Sequence, residues 1–310
     1  MENIVINDRY VLNSKIGHGG YATVFLALDT FNNRQVAVKV LKCEANENNK
    51  TYVMFKQEAM TLAAISNSNV VKVYENGIYE NNPYLVMDYV KGKSLKEIIY
   101  GNSVLLVDEV YLYMQQIING LETVHNSNII HRDLKPQNII KKSDGTLVIL
   151  DFGTAFVDDD NINLYKEDGS TIIGTVQYMA PEIVEHPGGS KQTDIYALGV
   201  TMYEMFTAKF PFMAADCKDK ISVIKMHRNE PFPSVRKFNP KVPVEFENII
   251  YKCCEKDTKK RYKNVNELRI DLIKAYEKYK NRETNKAQFA DSLKISRPTL
   301  DKLLKDKGLM

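Results

Sequence analysis

Two short polar stretches in the middle of the chain constrain its fold more than any other feature of the sequence. The first, His131 to Asn138, reads His-Arg-Asp-Leu-Lys-Pro-Gln-Asn, and the second is Asp151-Phe152-Gly153. Together they supply a carboxylate that can act as a base, a lysine ammonium and two oxygen ligands suited to a hard cation. A fold that uses these groups jointly must bring two separate loops to one polar site.

The length and the net charge of the chain limit the classes of protein to which it can belong. A chain of 310 residues exceeds what one hydrophobic core usually organises, so two lobes with an appendage are expected. The 42 Lys and Arg residues nearly balance the 39 Asp and Glu residues, which leaves a net charge of +3. This balance gives no indication of nucleic-acid or membrane binding by the chain as a whole.

The cysteines and the hydrophobic segments predict a cytoplasmic protein. Cys43, Cys217, Cys253 and Cys254 lack metal-ligand spacing, and an adjacent pair cannot easily form an ordinary disulfide. Buried, reduced thiols are therefore expected. The N-terminus lacks a signal-peptide pattern, and the most apolar stretch, 195–206, is too short to cross a bilayer. We expect no membrane association.

The first third of the chain reads as strand-rich. Residues 22–27 and 35–40 carry β-forming side chains, and Asn32-Asn33 between them is typical of a turn. Helices dominate from residue 95 onward, where apolar residues at 107–124 recur at steps of three and four. The other elements expected in the first third are a helix near 50–65 and short strands at 70–74 and 84–87.

A glycine-rich turn joins the first two of these strands. Glycines at such a turn let the backbone approach phosphate groups, and their amides can donate hydrogen bonds to phosphate oxygens. Alone this motif is a weak signal, but Lys39 follows at the distance where an ammonium can hold the same phosphates. The residues of the turn expected to contact a nucleotide are Ile16, Gly17, His18, Gly19, Gly20, Tyr21, Ala22, Thr23 and Val24.

The lysine on the strand after this turn needs a charged partner. Lys39 alternates onto the same strand face as Ala37, which is the side that would line a cleft. On the following helix, Glu58 falls among apolar residues at steps of three and four, where an unpaired carboxylate would be costly. We expect a salt bridge between Lys39 and Glu58. Glu47 is the alternative partner. A solvent-exposed, unpaired side chain also remains open for Lys39 and for Glu58.

Together with Ala180-Pro181-Glu182, these motifs resemble those of the protein kinase superfamily, most closely the eukaryotic-like Ser/Thr kinases of bacteria. The resemblance covers about residues 10–275. It implies an α+β, bilobal protein kinase fold with a small β-rich N-lobe (10–88) and a larger helical C-lobe (91–275). It also implies ATP and Mg²⁺ as cofactors and Ser or Thr hydroxyls of proteins, its own included, as acceptors.

The resemblance implies roles for individual residues as well. Asp133 would orient the substrate hydroxyl and accept its proton, while Lys135 would steady the transferred phosphoryl group. Asn138 and Asp151 are the expected Mg²⁺ ligands. Thr175 would hydrogen-bond Asp133 and Lys135. Besides Lys39, the residues expected to line the nucleotide site beyond the glycine-rich turn are Ala37, Met87, Asp88 and Val90.

Four further residues are expected to have architectural roles. His131 would pack and hydrogen-bond beneath Phe152. Asp194 resembles the helix carboxylate that holds the backbone of the catalytic loop, and Glu182 and Arg261 resemble a buried ion pair that anchors the end of the substrate-facing segment.

Two other functions remain open. A small-molecule phosphotransferase of the antibiotic-kinase type shares the base and the metal ligands, but it lacks a segment between Asp151-Phe152-Gly153 and Ala180-Pro181-Glu182 for docking a polypeptide. A pseudokinase-type, DNA-bound regulator would not need the full set of reactive groups. That set is present here and consists of Lys39, Glu58, Asp133, Asn138 and Asp151.

The last part of the chain, about 280–310, lies outside the resemblance to kinases. Its apolar residues have the spacing of two short helices across a tight turn, with Ser296 as the cap of the second helix. This resembles a helix-turn-helix, a common DNA-binding unit, although Lys294 stands where such turns usually have Gly and the third helix would have to come from 267–280. The residues that would reach DNA are Arg297, Thr299 and Lys302.

The charge of the tail leaves two interpretations open. Residues 277–310 hold nine Lys and Arg against five Asp and Glu, which makes this part more basic than the whole chain. A basic helical tail suits weak binding to DNA. The alternative is a helical appendage that packs on the rest of the chain or pairs two chains as a homodimer.

The arginine beside the expected base generates a prediction about regulation. Arg132 can pair with a phosphate on the segment that ends at Ala180-Pro181-Glu182. Autophosphorylation is therefore expected on Ser170 or Thr171, and it should raise activity by ordering that segment. Mass spectrometry of protein incubated with ATP and Mg²⁺ measures this, with Asp133→Asn as the control for phosphate from other sources. An unmodified segment in a fully active enzyme would contradict the prediction.

Overall fold

The protein forms a sheet-rich first lobe and a mainly helical second lobe, so the expected α+β bilobal fold is confirmed. The computed structural model describes residues 4–18, 22–46, 48, 50–101, 104–152, 175–184, 189–214 and 219–306. Within these ranges, the described side chains exclude those of residues 50, 51, 54, 57, 58, 289, 303 and 306.

The first lobe consists of one antiparallel sheet and one helix, α1 (Lys50–Ala64). In their order across the sheet, the strands are β1 (Val5–Ile6), β2 (Tyr10–His18), β3 (Ala22–Asp29), β4 (Arg34–Leu41), β6 (Asn82–Asp88) and β5 (Val73–Tyr79). Val36 and Val38 of β4 face a small outer core, whereas Ala37 faces the main core together with Phe55 of α1. The sheet therefore offers one face, shared by Ala37 and Lys39, to the rest of the molecule.

The strand expected at 70–74 was wrong in its extent. β5 begins only at Val73, and Val70 instead forms an isolated parallel bridge with Ile149 of the second lobe. The main-chain N–H of Val71 donates to the oxygen of Ile149 at 2.9 Å. These valines are extended and buried, as a strand would be, but their hydrogen-bond partner is the other lobe.

The second lobe is built around a helix that is buried along most of its length. Every residue from Thr193 to Thr207 of α4 (Lys191–Thr207) is buried. The expected stripe on α3 (Val107–Asn126) faces the core, and Val110, Met114 and Ile117 are fully buried. The other elements are β7 (Lys93–Ser94), α2 (Leu95–Gly101), β8 (Ile139–Lys141), β9 (Leu147–Ile149), α5 (Lys220–Asn229), α6 (Val244–Cys253), α7 (Val265–Ser292) and α8 (Arg297–Asp306).

The tail does not contain the expected pair of short helices. One long helix, α7, runs from the second lobe to Ser292 without a break, because no Gly or Pro interrupts residues 265–292. The expected third helix at 267–280 is therefore part of the same helix, α7. Lys294 then adopts a left-handed backbone (φ 54°), and α8 begins at Arg297.

Helix α8 packs back on the end of α7. The two helices contact each other, and Ala290 of α7 and Leu300 of α8 are each 2% exposed. Arg297 forms an ion pair with Glu283 on α7. The described tail is therefore a helix, a turn and a second helix, with α7 also serving as the last helix of the second lobe.

A buried carboxylate of the first sheet, that of Asp29 at the end of β3, binds side chains from neighbouring parts of this lobe. Asp29 has no exposed side-chain surface and accepts hydrogen bonds from Arg9 Nε (2.7 Å), Arg9 Nη2 (2.9 Å) and Asn32 Nδ2 (2.8 Å). Arg34 Nε adds a fourth contact at 3.2 Å. The hydrogen bonds from Arg9 are the main reason why the pKa of Asp29 lies well below its usual value. The ionised form therefore stabilises the fold.

Replacement of this carboxylate should destabilise the protein in a pH-dependent way. Because the pKa of Asp29 is lower in the folded state, its contribution is complete above the unfolded-state pKa of about 3.9 and is lost as the pH falls toward the folded-state value. Asp29→Asn should lower the free energy of unfolding by about 2 kcal/mol at pH 7, and by less at pH 3. Urea unfolding at both pH values measures the difference.

The matched control is an exposed carboxylate of the same lobe. Asp8 is exposed and has a left-handed backbone (φ 50°), which Asn tolerates well. Asp8→Asn should change the free energy of unfolding by less than about 0.5 kcal/mol. Equal losses for the two variants at pH 7 would contradict the role of Asp29.

Candidate active site

The hairpin of β8 and β9 brings the two polar stretches of the sequence together. Ile139 pairs with Ile149 in this hairpin, so Asn138 precedes one strand where Leu150 and Asp151 follow the other. The main-chain N–H of Leu150 donates to the oxygen of Asn138 at 2.7 Å. The two loops share one site because they flank the same two-stranded ladder.

Asp133 is the centre of a hydrogen-bonded cluster. Lys135 Nζ lies 2.6 Å from Asp133 Oδ2 and 2.8 Å from Thr175 Oγ1. Asn138 Nδ2 donates to Asp133 Oδ2 at 3.1 Å and to the main-chain oxygen of Asp133 at 2.9 Å. The ammonium and the amide therefore hold the carboxylate in one orientation, with Oδ2 as the shared acceptor. Thr175 contacts this cluster through Lys135.

The backbone that carries Asp133 is held by the buried carboxylate of Asp194 on α4. Asp194 accepts the main-chain N–H groups of His131 and Arg132, each at 2.9 Å. Its Oδ2 also lies 2.8 Å from Nε2 of His125. Burial alone would raise the pKa of Asp194, but the hydrogen bond from His125 and the donors around it bring the pKa below its usual value. The carboxylate is therefore ionised where it binds the loop.

The same loop contains a strained residue. Arg132 has a φ of 63°, a left-handed conformation that is unfavourable for a residue with a side chain. The hydrogen bond from its N–H to Asp194 offsets this strain. His131 lies beneath the second loop as expected, with Nε2 at 2.8 Å from the oxygen of Leu150 and its ring centroid 4.7 Å from that of Phe152.

Lys39 meets Asp151 across the boundary between the lobes. The lysine is buried on β4, and its ammonium forms an ion pair with Asp151 Oδ1. Burial by itself would raise the pKa of Asp151, but the Lys39 ammonium outweighs burial and the pKa lies below its usual value. Because 45% of the Asp151 side chain stays exposed, the carboxylate can still face a ligand in the cleft.

Sequence reasoning did not anticipate this pairing of Lys39. The side chain of Glu58 and the whole of Glu47 lie outside the described residues, so the expected salt bridge stays a prediction. The backbone of Glu58 lies within α1, as expected. A signal for the observed pair was present, since Lys39 and Asp151 were both assigned to the same phosphate and cation site.

The walls of the cleft come from β3, β4, β6 and the link that follows β6. Ala37 pairs with Met87 across β4 and β6, and both are buried. Val24 and Val90 pack against the same core, while Asp88 is exposed. Apart from Asp88, these residues are apolar, and they lie where the first sheet meets the link to the second lobe.

The glycine-rich turn is described only in part. Gly19, Gly20 and Tyr21 lie outside the described residues, and Ile16 is 46% exposed. His18 and Thr23 are cross-strand partners whose side chains meet at 3.2 Å. Because residues alternate along a strand, the side chain of Thr23 points away from the face that Ala22 and Val24 share.

The end of the substrate-facing segment is anchored as expected. Arg261 Nη1 lies 2.7 Å from Glu182 Oε1, and Nη2 lies 3.0 Å from Oε2, so the pair is bidentate. Arg261 is 2% exposed and also donates to the main-chain oxygen of Gln192 at 2.8 Å. Ser170 and Thr171, the expected phosphorylation sites, lie outside the described residues.

One buried polar pair near this segment was missed. Tyr178 donates to Glu204 Oε2 at 2.6 Å, and Glu204 is fully buried within α4. Burial raises the pKa of Glu204. The signal was the position of this carboxyl in the most apolar stretch of the chain, where it needs a donor.

Comparison with protein families and curated proteins gives a consistent result. The family model described as a protein kinase domain matches residues 10–271. A probable serine/threonine-protein kinase of Clostridium acetobutylicum is 34% identical over 295 residues, which are 95% of this chain and 44% of that protein. The serine/threonine-protein kinase PrkC of Bacillus subtilis is 34% identical over 272 residues, 88% of this chain and 41% of its own length. The chain thus spans less than half the length of these curated relatives.

A solved structure supports the fold. The crystal structure of Rad53 (residues 1–466) in complex with AMP-PNP superimposes with a TM-score of 0.69 at 21% sequence identity. The superposition covers 84% of this chain and 64% of the other. At this identity the likeness concerns the fold alone.

Proposed function

The chain belongs to the protein kinase domain family, and on that basis we propose that it transfers the γ-phosphoryl group of ATP to serine or threonine hydroxyls of proteins. The observation that carries the proposal is the contact of Lys135 Nζ with both Asp133 (2.6 Å) and Thr175 (2.8 Å). This contact joins the expected base, the expected phosphoryl-facing cation and the start of the segment that would receive a substrate. Autophosphorylation is part of the same proposal.

The geometry of the cluster suits proton transfer from a substrate hydroxyl. Lys135 and Asn138 both bind Oδ2 of Asp133, which leaves Oδ1 as the oxygen that accepts the hydroxyl proton. The Lys135 ammonium lies next to this carboxylate, where it offsets negative charge on the phosphoryl group during transfer. Because these side chains are held before substrate arrives, little reorganisation is needed during the reaction.

The cleft between the lobes is the proposed ATP site. The adenine would lie against the apolar wall of Val24, Ala37 and Met87, and the main chain of the link at Asp88 and Val90 would bind its polar edge. Lys39 is buried at the inner end of this wall and would hold the phosphates. Its ion pair with Asp151 keeps the ammonium in place when no phosphate is bound.

Asn138 and Asp151 fit the requirements of Mg²⁺. An amide oxygen and a carboxylate are hard oxygen donors, and Mg²⁺ uses only one or two protein ligands beside phosphate oxygens and water. No larger group of His, Cys, Asp and Glu that could hold a metal occurs in the described parts of the chain. Bound there with ATP, Mg²⁺ would neutralise charge on the phosphate oxygens.

A protein substrate suits this chain better than a small molecule. The segment from Thr175 to Val184 is anchored by the buried pair of Glu182 and Arg261, which gives a polypeptide a fixed surface beside Asp133. A small-molecule phosphotransferase has no use for such a segment. A pseudokinase is disfavoured because Lys39, Asp133 and Asp151 occupy the positions of reactive groups.

We also propose that the domain works in the cytoplasm. Of the described cysteines, Cys43, Cys253 and Cys254 are free thiols, and the last two are buried, as expected in a reducing compartment. No helix in the described part of the chain is both long enough and apolar enough to cross a membrane.

The catalytic proposal is tested by replacing the base. With ATP and Mg²⁺, the purified protein should phosphorylate itself and a generic basic protein on Ser or Thr. Asp133→Asn should lower kcat by about 10²- to 10⁴-fold, because it removes the proton acceptor. Lys39→Met and Asp151→Asn should each remove nearly all turnover. Incorporation of radiolabelled phosphate followed by phosphoamino-acid analysis measures all of these.

The controls separate chemistry from folding. Asp144 is an exposed carboxylate in the turn between β8 and β9, and Asp144→Asn should keep activity within about twofold. Thr175→Ser keeps the hydroxyl that contacts Lys135 and should stay active, whereas Thr175→Ala should lose about 10-fold or more. Turnover of Asp133→Asn at the level of wild type would refute the assignment of the base.

DNA binding by the tail is a second, separable proposal. It is supported by the turn at 293–296, where Ser296 Oγ accepts the N–H of Thr299 at 3.4 Å, and by the exposed Lys302. Arg297, also expected to reach DNA, contacts Glu283 on α7 instead. A single small unit with few free cations should bind DNA weakly and with strong salt dependence, so useful affinity would require a homodimer.

Fluorescence polarisation with a labelled duplex tests this proposal. Full-length protein should bind at about 50 mM salt and lose binding at about 200 mM, and deletion of 282–310 should abolish binding while kinase activity persists. Lys302→Glu should weaken binding, whereas Lys274→Glu, an exposed lysine of α7 before the tail, should not. Absence of binding at low salt, even where the protein dimerises, would leave the tail as a packing or pairing element.

A further inference from the structure

A group of amide side chains, of which Asn69 is buried, joins the two lobes beside the strand that leads to Asp151. Asn69 lies in the connection between α1 and β5 and is 5% exposed. Its Nδ2 donates to the main-chain oxygen of Leu147 (2.8 Å) and to Gln116 Oε1 (3.2 Å), and its Oδ1 accepts from Asn119 Nδ2 (2.8 Å). Both donors and the acceptor of this amide therefore have partners in the second lobe.

Gln116 completes the group from α3. Its Oε1 accepts the main-chain N–H of Leu147 at 2.8 Å, and its Nε2 donates to the main-chain oxygen of Gly145 at 3.3 Å. The two polar main-chain groups of Leu147 are thus held by two different side chains, its N–H by Gln116 and its oxygen by Asn69. We call Asn69, Gln116 and Asn119 the amide clamp.

The amide clamp occupies the outer edge of β9. In the three-stranded sheet β9 is an edge strand, so its outward main-chain groups have no strand partner. Leu147 is satisfied by the clamp, while the N–H of Ile149 donates to the oxygen of Asn69 and its oxygen accepts from Val71, both at 2.9 Å. The connection at Asn69 to Val71, together with Gln116 of α3, therefore replaces the missing strand along the edge of β9.

The clamp has little freedom to adjust. Gly120 of α3 lies so close that a Cβ at this position would come within 2.8 Å of the main-chain oxygen of Asn69 and 2.9 Å of Ile149 Cδ1. Such contacts are shorter than side-chain carbons allow. The helix, the connection at Asn69 and β9 are consequently fixed against one another.

We propose that Asn69 and Gln116 are positioning residues that set the place of Asp151 relative to Lys39, and through it the binding of the Mg²⁺–ATP complex. Lys39 belongs to the first lobe, whereas Asp151 follows β9 of the second by two residues. Their ion pair requires the lobes to be in register at this point. The clamp supplies that register, because it binds the first lobe to the strand from which Asp151 extends. This inference rests on the proposed ATP-dependent function.

The test compares two amides with similar local roles. Asn69→Leu removes the clamp amide at nearly constant volume. The matched control is Asn239→Leu, because Asn239 Nδ2 also donates to a main-chain oxygen, that of Phe206 at 2.9 Å, but in the helical lobe. The affinity for ATP is measured by calorimetry with and without Mg²⁺. Loss of a residue that orients a metal ligand lowers affinity by about 10-fold or more, so Asn69→Leu, which acts on Asp151 through β9, should lose about 10-fold in Mg²⁺–ATP affinity relative to the control.

A second position keeps the test decisive if Asn69→Leu does not fold. Gln116→Leu should lose Mg²⁺–ATP affinity in the same way, while Gln116→Glu keeps the oxygen that accepts from Leu147 but loses the donor to Gly145, and should recover only part of it. Hydrogen exchange at the amides of Leu147 and Ile149 should accelerate in the variants that lose affinity.

Two outcomes separate this inference from the proposed function. If Asn69→Leu and Gln116→Leu both bind Mg²⁺–ATP as tightly as Asn239→Leu, the clamp only stabilises the fold and the inference is overturned. If wild type binds Mg²⁺–ATP but transfers no phosphoryl group to protein, the proposed function fails while the comparison of affinities still decides the role of the clamp.

Discussion

The placement of the catalytic loop depends on one buried negative charge. Asp194 of α4 binds the N–H groups of His131 and Arg132, which directly precede the expected base Asp133. A left-handed residue with a side chain costs about 1–3 kcal/mol, and a hydrogen bond to a charged group returns about 1.5–3 kcal/mol. The two bonds to Asp194 therefore outweigh the strain at Arg132. Without that carboxylate, Arg132 would leave its left-handed conformation, and the backbone that positions Asp133 would change.

The proposed site divides between a lobe that holds the proposed base and a lobe that supplies the lysine proposed to face the phosphates. Asp133 and Asn138 sit on a loop fixed by α4 and by the hairpin of β8 and β9. Lys39 arrives from β4 of the first sheet and meets Asp151 at the boundary. The proposed activity consequently requires a defined position of one lobe against the other. The amide clamp along β9 provides a direct contact for that purpose, in addition to the covalent link near Asp88.

Local patterns predicted local structure well. The stripe on α3 and the turn at Asn32-Asn33 follow from periodicity and turn chemistry, and Asn33 indeed has a left-handed backbone (φ 46°). Predictions that needed a distant partner were less accurate. Val70 and Val71 have the composition of a strand, but their partner is Ile149 of the other lobe. In the tail, the apolar spacing around Ala290 is local, yet it could not reveal that the helix continues from the second lobe.

The sequence by itself determined which reactive groups the proposed site contains. The order of a lysine, a candidate base, a second lysine, an amide and a carboxylate predicted the phosphoryl-transfer site that we propose, because each group is defined by its own residue type. Only the tertiary structure decided which of these groups touch. Lys39 meets Asp151, and Asn69 binds Leu147, across 112 and 78 residues of chain. Such contacts depend on how two lobes pack, and packing arises from the shapes of many side chains at once, which no short pattern contains.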